Sequence, residues 1–258
     1  RTAELMAQWQ AVGFSHGVMN TDNMSILGLT LDYGPFGFLD AFDPGYVCNH
    51  SDTGGRYAFD QQPDVAAWNI TKLAQALVPL MSVDTASQAI SEYPQAFGRA
   101  YLERMAAKFG LPPGSETASL VMDALQLLAQ NQVDYTIFLR RLCDFDSAMG
   151  AGNSPLRDLF LDRAAFDAWA ARYAAALRQL GSVDAERAAA MRRVNPKYIL
   201  RNHLAEIAIR RAADDRDYSE VNRLHALLAR PFDEQPEFES YAAEPPDWAR
   251  KIEVSCSS

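Results

Sequence analysis

The stretch His16-Gly17-Val18-Met19-Asn20-Thr21-Asp22-Asn23, followed eight residues later by Asp32-Tyr33-Gly34, decides how this chain is read. Between the two lies Met24-Ser25-Ile26-Leu27-Gly28-Leu29-Thr30-Leu31, a pair of short apolar runs around one glycine. Glycine accepts the positive φ that many tight turns require, so the economical expectation is a hairpin turning at Gly28. Such a hairpin sets Asn23 and Asp32 at its two mouths. An amide oxygen and a carboxylate so placed can share a hard divalent cation, with phosphate oxygens and water completing its shell. A turn whose Asx side chains cap their own backbone gives the same residue pattern without any ligand.

The spacing has a chemical counterpart. Catalytic loops of kinases run His-x-Asp, four residues, Asn, then a short hairpin and Asp-Phe-Gly. Setting His16 and Asn23 on that frame makes Asp32-Tyr33-Gly34 the metal-binding triplet. The position of the catalytic Asp then falls on Val18, which neither accepts a proton nor orients a hydroxyl. An Asp stands instead just before the Asn, at Asp22. The expectation is a kinase-like metal and phosphate site whose base has been lost or relocated.

Outward from this stretch the chain changes texture. Residues 1–63 hold seven acidic residues against Arg1 and Arg56 alone. After Pro63 the sequence turns helical: Val65, Trp68, Ile70, Leu73, Leu77 and Leu80 recur at helical spacing, with Asp64 in a first-turn position. Further runs cover 86–109, 115–130, 135–145, 156–180, 185–194, 198–213 and 218–228, punctuated by Pro112-Pro113-Gly114, Gly181, Pro196 and Pro231. The fold class expected is mainly α, a kinase-like C-terminal lobe with a short β-hairpin near its start. Its organisation reads as one domain: catalytic loop, hairpin and activation-like segment over 1–63, a helical body over 64–229, and a proline-rich extended arm over 230–258.

Composition narrows the function. Of 258 residues 48% are hydrophobic and 22% charged, with a net charge of -9. So acidic a chain is poorly suited to nucleic acid or to anionic membranes, because the phosphate interaction is repulsive. No apolar run approaches the roughly 20 residues of a spanning helix. Cys48, Cys143 and Cys256 are too few and too scattered for a disulfide framework or a zinc site, which points to a reducing, cytosolic compartment. An opening at Arg1, with helical periodicity already running at Ala3–Val12, reads as a piece of a longer protein cut on its N-terminal side.

The combined blocks His16–Ser25, Leu31–Asp40, Cys48–Asp52, Gly55–Phe59 and Val194–Tyr198 resemble the selenoprotein O family. The resemblance covers essentially the whole chain and corresponds to that family's C-terminal half. It implies a kinase-fold pseudokinase that acts as a Mg2+-dependent protein adenylyltransferase, moving AMP from ATP to Ser, Thr or Tyr hydroxyls of protein substrates. Asp22 matches the family's base; Asn23 and Asp32 match its metal ligands, and Asp32 would also lie beside the nucleotide phosphates. The family's nucleotide-binding lobe has no counterpart here, since no G-x-G-x-x-G segment occurs and the first Lys is Lys72. The isolated chain is therefore expected to bind ATP weakly and to be inactive, with the N-terminal lobe of its own full-length chain as a partner. The implied location is the bacterial cytoplasm, or the mitochondrion in a eukaryote.

Cys256 falls near the terminus where eukaryotic members of the family carry selenocysteine. A Cys48–Cys256 disulfide acting as a redox switch is one expectation and two free thiols the other. Two rival functions stay open: a conventional phosphotransferase, which Val18 argues against, and a non-catalytic pseudokinase scaffold, which would tolerate loss of Asp22, Asn23 and Asp32. His16 reads as a loop-organising histidine, and His50, His203 and His225 as structural or surface residues. The basic residues between Arg187 and Arg216 read as a solvated helix face, and Cys143 as an inert buried thiol.

Overall fold

The computed structural model describes residues 1–255, the side chain of Ala151 excepted. The chain forms two compact units whose segments interleave: Arg1–Gly37, Asp43–Arg104 and the tail from Glu253 in the first, Phe38–Phe42 and Met105–Ile252 in the second. No helix among the described residues is long and apolar enough to cross a membrane.

The first unit opens with α1 (Thr2–Val12), which buries Leu5, Met6 and Trp9 and ends at Gly13 in the left-handed region, φ 75°. A short strand follows, β1 (Phe14–Ser15), which pairs with β2 (Gly37–Phe38). Between them a single 3₁₀ turn spans Thr21–Asn23. The expected turn at Gly28 is present, with φ 74° and its N–H bonded to Ser25 O at 3.2 Å. One antiparallel bridge, Met24 to Thr30, closes that loop, and the regular strands flank it on the outside.

Next come α2 (Gln62–Leu77), α3 (Val83–Ser91) and α4 (Tyr93–Lys108). Residues 86–109, read above as one run, divide at Glu92 because Pro94 has no N–H to offer a preceding turn and so starts a helix afresh. The apolar spacing on α2 also misleads. Its buried face is Gln62, Val65, Ala66 and Asn69, whereas Trp68 and Leu73 are exposed, as is Leu80 just past the helix end.

The second unit is helical: α5 (Ser115–Asn131), α6 (Tyr135–Leu142), α7 (Ser154–Arg157), α8 (Arg163–Gln179), α9 (Asp184–Arg192), α10 (Asn202–Asp214) and α11 (Ser219–Leu228). Residues 156–180 again divide, because the Asp162 carboxylate caps a new helix by accepting from Ala165 N at 3.0 Å. Its core is aromatic. Trp169 stacks on Tyr173 with centroids 5.2 Å apart, and the Tyr173 hydroxyl donates to Phe109 O at 2.6 Å, so its one polar atom is satisfied.

The arm is not uniformly extended. It carries 3₁₀ segments at Pro236–Ala242 and Asp247–Lys251, and Tyr241 packs on the cluster Leu204, Ala208 and Leu224 of α10 and α11. The basic stretch is a solvated face only in part, at Arg193, Arg210, Arg211 and Arg216. Arg187 and Arg201 are buried, and Lys197 pairs with Glu234 and Glu239 at 2.6 and 2.5 Å.

Candidate functional site

The loop from Phe14 to Asn23 has only the two-residue strand β1 and one 3₁₀ turn, so most of its backbone polar groups must find partners elsewhere. Side chains provide them. Gln62 of α2 spans two residues, donating to Phe14 O at 2.9 Å and accepting from His16 N at 2.9 Å. Asn69, two turns along the same face, donates to Met19 O at 2.9 Å. Asn49 donates to Gly17 O at 3.1 Å, and the Cys48 thiol to Ser15 O at 3.5 Å. The Tyr57 hydroxyl donates to Asn20 Oδ1 at 2.6 Å. Each buried amide meets a group that would otherwise stay unpaired at a cost of about 1–3 kcal/mol, so together they select one loop conformation.

Two backbone features complete the clamp. Gly17 has φ 80°, and a Cβ there would sit 2.6 Å from Cys48 Sγ and 2.8 Å from Pro35 O, so only glycine fits. Fully buried His16 stacks on Trp9, centroids 5.2 Å apart. Val18 N–H donates to its Nδ1 at 3.3 Å, so the ring hydrogen is on Nε2, which donates to Leu31 O at 2.6 Å. His16 thus ties the loop to the residue before Asp32, the organising role its position suggested.

On this scaffold the acidic groups stand apart. Asn23 donates its Nδ2 to Val18 O at 3.0 Å, which fixes the amide and leaves Oδ1 without a protein partner among the described residues. Asp22 and Asp32 are exposed, and their carboxylates make neither a hydrogen bond nor an ion pair among the described residues. Asp32 also has φ 56°, a left-handed conformation that L-residues adopt at a cost of about 1–2 kcal/mol. The Met24–Thr30 bridge leaves Asn23 one residue outside it on one strand and Asp32 two residues outside it on the other.

Among the described residues no three His, Cys, Asp or Glu side chains gather into a metal-holding group. A set of one oriented amide oxygen and unpaired carboxylates nevertheless fits a hard cation such as Mg2+, which keeps several waters and takes only one or two protein carboxylates.

Cys48 is buried and faces inward; burial pushes its thiol up to about 11, so it is a poor thiolate. Cys256 lies outside the described residues. The segment before it runs along the Cys48 loop: Val254 bridges to Asn49 in parallel, His50 N donates to Val254 O at 2.8 Å, and Ser51 Oγ meets Ser255 Oγ at 3.0 Å. Cys143 is buried, as expected of an inert thiol.

The sequence reading missed the clamp residues Gln62, Asn69, Asn49 and Tyr57. For the first two a signal existed: polar residues seven apart flank Val65 and Ala66 on one helical face, and a buried amide there must have a partner to reach.

The family described as protein adenylyltransferase SelO matches residues 1–229. A protein nucleotidyltransferase YdiU of Thiobacillus denitrificans is 86% identical over 258 residues, all of this chain and 53% of the relative. Proteins of the same name from Cupriavidus pinatubonensis and Burkholderia multivorans are 57% and 56% identical over 274 aligned residues, again with the whole chain and 52% of each relative covered. The chain therefore spans about half the length of the curated relatives it matches. With a family match running through all but the last 29 residues, the chain belongs to the SelO family of protein adenylyltransferases.

Proposed function

We propose that this chain carries the acid–base and metal-holding half of an enzyme that moves AMP from ATP onto hydroxyl side chains of proteins. One observation supports it above the rest: Asp22, Asn23 and Asp32 present unpaired oxygens on a loop that buried amides hold still. Paired surface acids add little stability, and unpaired ones add none. A fixed backbone bearing free carboxylates therefore suits ligand chemistry better than folding.

In this reading the Asp22 carboxylate takes the proton from a Ser, Thr or Tyr hydroxyl as its oxygen attacks the α-phosphorus of ATP. The bond to pyrophosphate breaks, and AMP remains esterified to the protein. Asn23 Oδ1 and an Asp32 carboxylate oxygen would hold Mg2+; when bound, that ion would supply positive charge against the phosphate oxygens and the departing pyrophosphate. Val18, where a kinase has its base, disfavours γ-phosphoryl transfer. Ile26, Leu27, Leu29 and Tyr33, more than half exposed beside these donors, suit cover by a nucleotide-binding lobe of the full-length chain. We place the reaction in a bacterial cytoplasm, in keeping with the free thiols of Cys48 and Cys143 and with the bacterial relatives.

The test uses the full-length protein with Mg2+ and ATP labelled on the α- or the γ-phosphate. Protein-bound α-label alone, reduced at least about 100-fold in Asp32→Ala with an unchanged melting temperature, is the expected result. Label from the γ-phosphate alone makes the protein a kinase, and no label from either makes it a scaffold.

We further propose that Cys48 and Cys256 can pair, two thiols giving up two hydrogens to a peroxide that leaves as water. The alignment of Val254 with Asn49 supports this reading, and burial of Cys48 means that the loop must open first. Mild peroxide should lower the count of titratable thiols in this chain from three to one; an unchanged count rejects the pair.

A further inference from the structure

Arg56, Trp68 and Lys72 form an exposed aromatic–basic patch that the reaction described above does not use. The Arg56 guanidinium carbon lies 4.8 Å from the Trp68 ring centroid, and Lys72 Nζ lies 5.1 Å from it. Trp68 and Lys72 are one helical turn apart on α2, and Arg56 arrives from the loop after Gly55. That loop is fixed by Asp52, whose two carboxylate oxygens accept from Arg56 N at 3.0 Å and Tyr57 N at 2.7 Å. Asp52 therefore spends its oxygens on backbone and not on the guanidinium.

Among the described residues neither cation has an ion-pair partner; Lys72 makes one weak hydrogen bond, to Gln75 Oε1 at 3.4 Å. In a chain of net charge -9, both cations lie over one exposed indole with no carboxylate paired to them. The ring holds both by cation–π attraction while their N–H groups stay available.

The patch is coupled to the loop that bears Asp22. Tyr57, beside Arg56, holds Asn20; Asn69, beside Trp68, holds Met19. The two segments that carry the cations thus clamp the loop two and three residues before Asp22.

We infer that Arg56, Trp68 and Lys72 are a docking subsite for acidic side chains flanking the acceptor hydroxyl of a protein substrate. This rests on Asp22 serving the acceptor side of the reaction. A short acidic peptide needs only these two cations. A long polyanion such as RNA or an anionic bilayer would also meet the exposed carboxylates of the same unit, Asp22, Asp32 and Asp60 among them, and be repelled.

The experiment compares two synthetic Ser peptides on the full-length protein, one flanked by Glu and one by Gln at the same positions. Binding is read from quenching of Trp68 fluorescence, with Trp68→Phe as the blank, and transfer from α-labelled ATP. Two exposed charge contacts predict a KM about fivefold lower for the Glu peptide, with the preference shrinking as salt rises. Arg56→Gln/Lys72→Gln should remove the preference while leaving kcat on the Gln peptide unchanged. Arg56→Glu/Lys72→Glu should transfer it to a Lys-flanked peptide. Equal labelling of both peptides, or a preference surviving in the Gln double variant, overturns the docking site while leaving adenylyl transfer standing. Preferential quenching by the Glu peptide without label on either rejects the transferase reading and keeps the docking site.

Discussion

The two units solve the problem of buried polar groups in opposite ways. In the first, neutral amides hold the loop: Gln62, Asn69 and Asn49 satisfy backbone carbonyls, and the carboxylates nearby stay on the surface unpaired. In the second, charge itself is buried. The Arg201 guanidinium, 1% exposed, donates to Asp40 and, at 2.8 Å, to Asp134, whose other oxygen caps α6 by accepting from Ile137 N at 2.8 Å. Lys108 is buried with its Nζ donating to Val194 O at 3.0 Å and Asn195 Oδ1 at 3.2 Å. The cation and phosphate site proposed for the first unit would profit from free carboxylates and from neutral supports that do not compete for them. A helical body has no such demand and can use its charges to fix register between distant segments.

The largest effect that separates the two strategies should come from Arg201. Arg201→Ala leaves Asp134 buried without its counter-charge and should lower unfolding free energy by about 3–5 kcal/mol, read from urea denaturation. Arg201→Met together with Asp134→Asn should recover part of this. If Arg201→Ala costs less than 1 kcal/mol, the ion pair does not organise this unit and the contrast fails.

Lys108 sharpens the same contrast through pH. Burial lowers its ammonium from 10.5 to about 7. Between those values the unfolded chain binds a proton that the native chain does not, so stability rises with pH from about 7 towards 10.5 and the penalty is full below 7. Lys108→Met should flatten this rise by on the order of 2–4 kcal/mol over the window, seen as parallel denaturation midpoints at pH 7 and pH 9.5. An unchanged slope would show that the buried amine carries no such linkage.

Asn69→Leu should produce the smallest change in stability and the more specific change in activity. It strands Met19 O, at about 1–3 kcal/mol, and loosens the loop before Asp22. On the proposed reaction, kcat for AMP transfer by the full-length protein should fall by roughly tenfold with little change in KM for ATP. A loss of stability with kcat intact would reduce the amide clamp to a folding device.

Much of the candidate site was legible in the residues. His16, Asn23 and Asp32 announce themselves by spacing, and Gly28 by its place between two apolar runs. The clamp was legible only in part: the spacing of Gln62 and Asn69 marks a buried polar face, but their partners, like those of Asn49 and Tyr57, lie 32 to 50 residues away in sequence, and no local pattern encodes them. Arg201 was hidden for the same reason: its carboxylates come from Asp40 and Asp134, 161 and 67 residues distant.

Sequence alone determined the helical class, most helix limits and the order of chemical groups along the loop, since periodicity, prolines and caps act within a few residues. Tertiary structure decided which face of α2 is buried. Apolar periodicity favours the face with Trp68 and Leu73, yet the irregular loop needs amide donors, and the helix turns Gln62 and Asn69 towards it. An unsatisfied buried carbonyl is costly enough to outweigh the transfer energy of a half-buried leucine. Tertiary structure likewise decided which charges are spent on folding and which are left free for a ligand.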